Sequence, residues 1–309
     1  MLDARQLEAL AAVIETGSFG AAAKGLSVTL AAVSLRIKSL ETTLGQRLLV
    51  RGKQARPTPA GQALLGHVKL VRLMEADLVA GLPGTEAGAS HLGHMQTLSV
   101  AVNADSLISW FLGGVAPALQ QHRLLLDIVI DDQDHTHDAL KNGDVVGCVT
   151  TLAQAMRGCV AEPLGIMRYR CVASPTLMAQ WARPAKSNAG AAMSPQRLLK
   201  SAAVIFNRKD ALQDAWLAQH FNLKGALYPR HFVPAVDAFE LALELGLGWG
   251  MVPDLLLARR KHKPPLQEVL PGRPVDVVLY WQHWAREPLS AQRLTAAVKQ
   301  SAREQLLQV

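Results

Sequence analysis

The sequence predicts a mixed α/β protein that begins with an all-helical head. Three observations carry this. Residues 19–51 have the spacing of two helices joined by a tight turn, residues 59–80 form one long helical seam, and from Thr97 onward short apolar runs alternate with helical stretches. Half of the 309 residues are apolar, enough for two or three domains with sizeable cores.

The head comes first. A helical stretch over 7–14 is followed by a second over 18–25, a turn to Thr29, and a longer helix ending at Gly45. Thr29 can cap that helix, because its hydroxyl can accept an orphan N–H of the first turn. Gly45 suits the residue just past the end. Between them Val33, Ile37, Leu40 and Leu44 fall on one face at 3.6 residues per turn, which predicts burial against the two earlier helices. The opposite face carries Ala31, Ser34, Leu35, Lys38 and Thr42. Small side chains there allow close approach to base edges, and Lys38 can reach a base or a phosphate. An ordinary amphipathic helix would show the same period. The three-helix context, the turn spacing and the basic tail 51–59 favour a helix lying in the DNA major groove. Charge agrees: residues 1–58 hold eight basic against four acidic residues, so they carry +4 of the chain's +7.

Thr58-Pro59 starts the next element, with Pro at the first helical position. Leu64, Val68, Val71, Glu75 and Leu78 follow the alternating four-and-three spacing of a coiled-coil seam. Such a face packs either on its own domain or on a second chain. Residues 81–93, rich in Gly, Ala and Pro, read as a hinge.

Beyond it, the runs 98–102, 124–130, 145–150, 169–173, 203–206, 250–252 and 275–281 predict strands of a mostly parallel sheet covered on both faces. The turn at 246–250 is read as helix-to-strand, and Trp281 and Trp284 as the core and surface of a strand. Ligands of open α/β sheets bind beyond the carboxyl ends of strands. The first strand ends in Asn103-Ala104-Asp105-Ser106, with a helix from about Leu107. A helix start can hold a carboxylate, and Ser106 can add its hydroxyl. The second strand ends at Asp131-Asp132, with Asp134 close behind. Carboxylates gathered there would suit an ammonium or guanidinium group. Asn207 to Asp210 and the stretch 235–237, which includes Asp237, are expected on the opposite wall. Read separately, Asp105 is as well explained as a helix cap and residues 131–134 as a solvated loop.

No GxSxG, HExxH, Walker or GxGxxG motif occurs, so no enzyme activity and no cofactor are expected. The pairs His91/His94 and His135/His137 lack a Cys partner and predict no metal. Cys148, Cys159 and Cys171 form no CxxC pair, which suits a reducing cytosol. No run of 18 apolar residues and no apolar leader is seen, so a cytoplasmic protein without a membrane partner is expected.

The residues 31–51, AAVSLRIKSLETTLGQRLLVR, are very similar to the helix-turn-helix signature of LysR-type transcriptional regulators. SVAVNADS (99–106), GDVVGCV (143–149) and residues 238–253 resemble the branch of that family that responds to lysine and arginine. The match departs at position 30, Leu where the family usually has a Gln that contacts DNA, and at Leu35, where a polar residue is common. The resemblance implies a winged helix-turn-helix over 1–58, with Thr29, Ala31, Ser34, Leu35, Arg36, Lys38, Arg51 and Arg56 at the DNA. It implies a linker and dimerisation helix with hinge over 59–90, using Leu64, Val68, Val71 and Leu78. It implies an effector domain over 91–309 of two subdomains, like a periplasmic binding protein: 96–166 with 268–309, and 167–267. Lysine or arginine would lie among Asn103, Asp105, Ser106, Asp131, Asp132, Asn207, Asp210 and Asp237. The implied partners are double-stranded DNA and a second or further copies of the chain (homodimer or homotetramer), with RNA polymerase as an additional one. The implied role is control of basic amino-acid export or metabolism. Two alternatives stay open: the same regulator with an anionic effector, and a small-molecule-binding protein of periplasmic-type fold that does not touch DNA.

Overall fold

The computed structural model describes residues 2–50, 52, 54–81, 95–130, 139–140, 142–182, 194–260 and 265–308. Arg51, Asp131, Asp132, the two histidine pairs and most of the expected hinge lie outside the described residues.

Helices α1 (Ala4–Thr16), α2 (Phe19–Gly25) and α3 (Leu30–Leu44) form the head. Each starts on a capping side chain: Asp3, Ser18 and Thr29 accept the N–H groups of Gln6, Ala21 and Ala32. Gly17 and Gly45, at φ 68° and 66°, close α1 and α3 in the left-handed region that favours glycine. Helices α2 and α3 are bent by 106° to each other. Val33, Ile37 and Leu40 bury as their spacing predicts, against Ala9, Leu10, Val13, Ala22 and Ala23. The wing is the antiparallel pair β1 (Leu49–Val50) and β2 (Arg56–Pro57). Glu41 of α3 fixes it by accepting the Leu48 N–H at 2.8 Å.

The linker helix α4 (Pro59–Gly81) does not stand free. One side packs on the head: Leu65 and Val68 meet Ala11, Leu7 and Ile14 of α1, and Arg72 binds Glu8 at 2.6 Å and Glu15 at 2.8 Å. Another side packs on the following domain. Gln62 and Lys69 both reach Asp144 at 3.1 Å, and Asp77 accepts the Ser290 N–H. Gly66 permits the close approach: a Cβ there would lie 2.4 Å from the Asn142 carbonyl oxygen. This corrects part of the expected seam. Val68 is buried against α1 and Leu64 packs on the core of the head, because α4 spends that face on its own chain. Val71 is half-buried, whereas Met74, Leu78 and Val79 are exposed.

In the second domain β3 (Gln96–Ala101), β4 (Leu124–Val129) and β5 (Gly147–Thr150) are parallel. A helical turn (Ala104–Ser106), a π-turn (Leu107–Phe111) and α5 (Leu112–His122) link β3 to β4. The long strand β6 (Cys159–Ala173) then crosses into a second lobe. That lobe holds α6 (Pro175–Ala182), α7 (Pro195–Lys200), β7 (Ala203–Ile205), α8 (Leu212–Phe221), β8 (Arg230–Phe232), α9 (Val236–Glu244), β9 (Gly250–Pro253), α10 (Asp254–Ala258) and β10 (Gln267–Glu268). Strand β11 (Val275–Trp284) returns antiparallel to β6, and α11 (Leu289–Gln305) packs on α5. The sheet order is β10-β6-β11-β5-β3-β4, with β9 beside β6, and β7 and β8 pair separately.

The strands in the sequence reading are present, and Gly246, at φ 74°, makes the helix-to-strand turn. The sheet is mixed rather than mostly parallel, because its two crossing strands run in opposite directions. The return also lies later than expected. Glu268 pairs with Val172 inside the second lobe, and the register shift at Leu279/Tyr280, beside Gly165 at φ 140°, marks the crossing. Trp281 is buried and Trp284 half-buried at the far end of β11.

Candidate functional site

Two sites emerge among the described residues, one on the head and one in the second domain. On the head, Thr29, Ala31, Leu35 and Lys38 are exposed, and Ser34 and Arg36 are half-exposed. Ala31, Ser34, Leu35 and Lys38 share the side of α3 away from the buried Val33, Ile37 and Leu40, whereas Thr29 caps the helix and Arg36 lies on its flank. Arg56 is exposed on the wing. Ser34 and Leu30 line a recess of about 350 Å³ with Gly17, Ser18, Phe19, Gly20, Gly52 and Ala55. The recess therefore opens where the second helix starts, the third helix starts and the wing turns. A convex helix flanked by a basic wing has the shape that enters a major groove.

In the second domain a cleft of about 640 Å³ lies between the lobes. Its first wall is the end of β3, with Asn103, Ala104 and Asp105, and the end of β5, with Thr150 and Thr151. Its second wall follows β7, with Phe206, Asn207, Lys209 and Asp210. Its floor is made by the crossing strands, through Tyr169, Val275, Val277 and Leu279. These walls lie beyond the carboxyl ends of parallel strands, where α/β sheets bind ligands.

The electrostatics are set by two carboxylates from opposite lobes. Burial pushes the Asp105 carboxyl up to about 6; the Tyr169 hydroxyl, which donates to it at 2.9 Å, pulls it down, and the charge of Asp210 raises it further. Tyr169 is itself held well above its ordinary value by burial and by Asp105. Asp210 accepts the N–H groups of Phe206 and Leu212, so the loop that carries it is ordered around its side chain. Asn207 Oδ1 accepts from Lys209 and Asp210 in the same loop. Asn103 stands at the helix start with its Oδ1 buried and, among the described residues, without a hydrogen-bond partner.

Of the residues expected here, Asn103, Asp105, Asn207 and Asp210 come together. Ser106 does not join them: it is fully buried, outside the cleft lining, and its hydroxyl has no partner among the described residues. The helix starts at Ala104, three residues earlier than expected, and this rotates Ser106 into the core. Asp237 is exposed on the first turn of α9, outside the cleft lining. Asp105 is not a cap; Asn103 holds that position. Lys209 lies within the stretch 207–210 expected on this wall, whereas Tyr169, Thr150 and Thr151 were not singled out from the sequence. Tyr169 lay in a run read as a strand, and nothing local announces that β6 passes beneath Asp105, 64 residues away in sequence.

A winged helix-turn-helix coupled through a packed helix to a two-lobed ligand cleft defines a one-component transcriptional regulator. Residues 4–62 match the bacterial regulatory helix-turn-helix protein of the lysR family, and residues 93–303 match the LysR substrate binding domain. The chain belongs to the LysR family of DNA-binding transcriptional regulators, and its relatives are regulators rather than enzymes. It is 40% identical over 301 residues to the regulator LysG of Mycobacterium tuberculosis, covering 97% of this chain and 94% of the relative. Among solved structures it is similar to ArgP from Mycobacterium tuberculosis, at 37% identity, TM-score 0.87 and full coverage of both chains. It is also similar to full-length LysG from Corynebacterium glutamicum with bound effector Arg, at 30% identity, TM-score 0.79 and 99% of each chain.

Proposed function

We propose that the cleft takes a basic amino acid, arginine or lysine, and that its occupancy changes how the head reads DNA. The carrying observation is the charge of the cleft: among its described lining residues, Asp105 and Asp210 face one cation, Lys209. A net acidic wall favours a ligand of net charge +1. The helix start at Asn103 and Lys209 would receive the α-carboxylate. Asp105 and Asp210 would receive the ammonium and guanidinium groups, one carboxylate from each lobe, so that binding draws the lobes together. An anionic effector would meet the same wall with repulsion. The arginine held by the Corynebacterium LysG, which is similar along its whole length, supports the same reading.

The coupling we propose is a population shift between open and closed lobes. Its route is α4, which touches the head through Arg72 and the first lobe through Asp144 and Ser290. The regulator would act as a homodimer or homotetramer, with Met74, Leu78 and Val79 on the open face of α4 available to a second copy. It would work in the cytoplasm, where the chromosome is.

Calorimetric titration tests the assignment. Arginine or lysine is expected to bind wild type, and Asp105→Asn to weaken binding at least tenfold. Glutarate is expected not to bind. Binding of glutarate, with none of either basic amino acid, would establish the anionic alternative instead.

A further inference from the structure

Two side chains on the reading face of α3 can neither donate nor accept a hydrogen bond. Leu30 is 56% exposed and Leu35 is 68% exposed. Single exposed leucines are ordinary on a protein surface. These two sit five residues apart on α3, the second helix of the helix-turn-helix and by that position the one that lies in the major groove, on either side of Ala31, Ser34 and Lys38. Leu30 also forms one wall of the recess of about 350 Å³, where Phe19 and Ala55 add apolar surface and Ser18 and Ser34 add hydroxyls.

The edges of base pairs in the major groove present hydrogen-bonding atoms and one apolar group, the 5-methyl of thymine. An exposed leucine brought against a donor or acceptor edge strips water from it and returns nothing, which is unfavourable. Against a thymine methyl it buries apolar surface on both sides. We propose that Leu30 and Leu35 read thymine through its 5-methyl group, so that sequence preference at these two positions is set by apolar contact. Lys38 and Ser34, between them, supply the polar contacts. The proposal rests on α3 entering the major groove.

The test uses the full-length protein and a duplex it selects from a randomised pool. Each thymine of that duplex is replaced in turn by deoxyuridine, which removes the methyl and leaves the pairing edge intact. Fluorescence anisotropy is expected to show a loss of about threefold to tenfold at one or two positions per half-site. Leu35→Ala should erase the loss at one position and Leu30→Ala at the other. The Met variants, which keep an apolar contact, should retain it, and circular dichroism should show every variant folded. Equal affinity for every uracil duplex, or losses unchanged in both Ala variants, would overturn methyl readout while leaving DNA reading intact. A pool that enriches no sequence would overturn both.

Discussion

Asp105 carries the chemistry of the cleft, and its environment makes two predictions. Its carboxyl is raised to about 6, foremost by burial, from an ordinary value of 3.8. The folded protein therefore holds this proton more tightly than the unfolded chain. Stability is unaffected below the lower value, falls as pH rises between the two, and is reduced by about 3 kcal/mol above the higher. Asp105→Asn keeps the acceptor for the Tyr169 hydroxyl and removes that charge. It is expected to raise the melting temperature of the free protein at pH 7.5 while weakening arginine. A melting temperature lower than wild type would count against a strained, ligand-ready carboxylate. A bound cation favours the ionised form, so arginine affinity should fall as pH drops through about 6 and be flat above it. Calorimetry from pH 5 to 8 gives the profile; affinity that rises on acidification would contradict the assignment.

At the scale of elements, the head was legible because its signals are local. Thr29, Gly45 and the spacing of Val33, Ile37 and Leu40 lie within 17 residues and did what their chemistry dictates. The wing depends on one longer contact, Glu41 to the Leu48 N–H. Glu41→Ala leaves a partly buried donor without its partner and is expected to cost about 1–3 kcal/mol, read from urea unfolding of the full chain. The seam of α4 was legible as apolar spacing but not as a choice of partner, since the same period serves α1 or a second chain. Leu64 and Val68 serve the head. Leu78, 65% exposed, is therefore the position to test: Leu78→Asp should lower the mass seen by light scattering, and an unchanged assembly would remove α4 from the interface. Gly66 reports on coupling. Gly66→Val must displace the backbone of Asn142 and Gly143. It should leave DNA and arginine binding individually near wild type while reducing the effect of one on the other. Full retention of that effect would place the coupling elsewhere.

At the scale of the whole molecule, the sequence showed two lobes only through family resemblance. Strands β6 and β11 pair residues more than 100 apart, such as Tyr169 with Val275, and no local pattern encodes such a partner. A separation of 64 residues likewise hid Tyr169 from the site, whereas Ser106 was misplaced for a local reason, its side chain being turned inward by where the helix after β3 begins. What remains is the claim that cleft and head are one device. Thermodynamic linkage makes this measurable without knowing the sign of regulation: if arginine changes DNA affinity, DNA must change arginine affinity by the same factor. The direct measurement is the dissociation constant of arginine for wild-type protein, free and saturated with its selected duplex. Values differing by about fivefold or more are expected, matched by an equal shift in DNA affinity. Identical arginine affinity in the two states would contradict that claim.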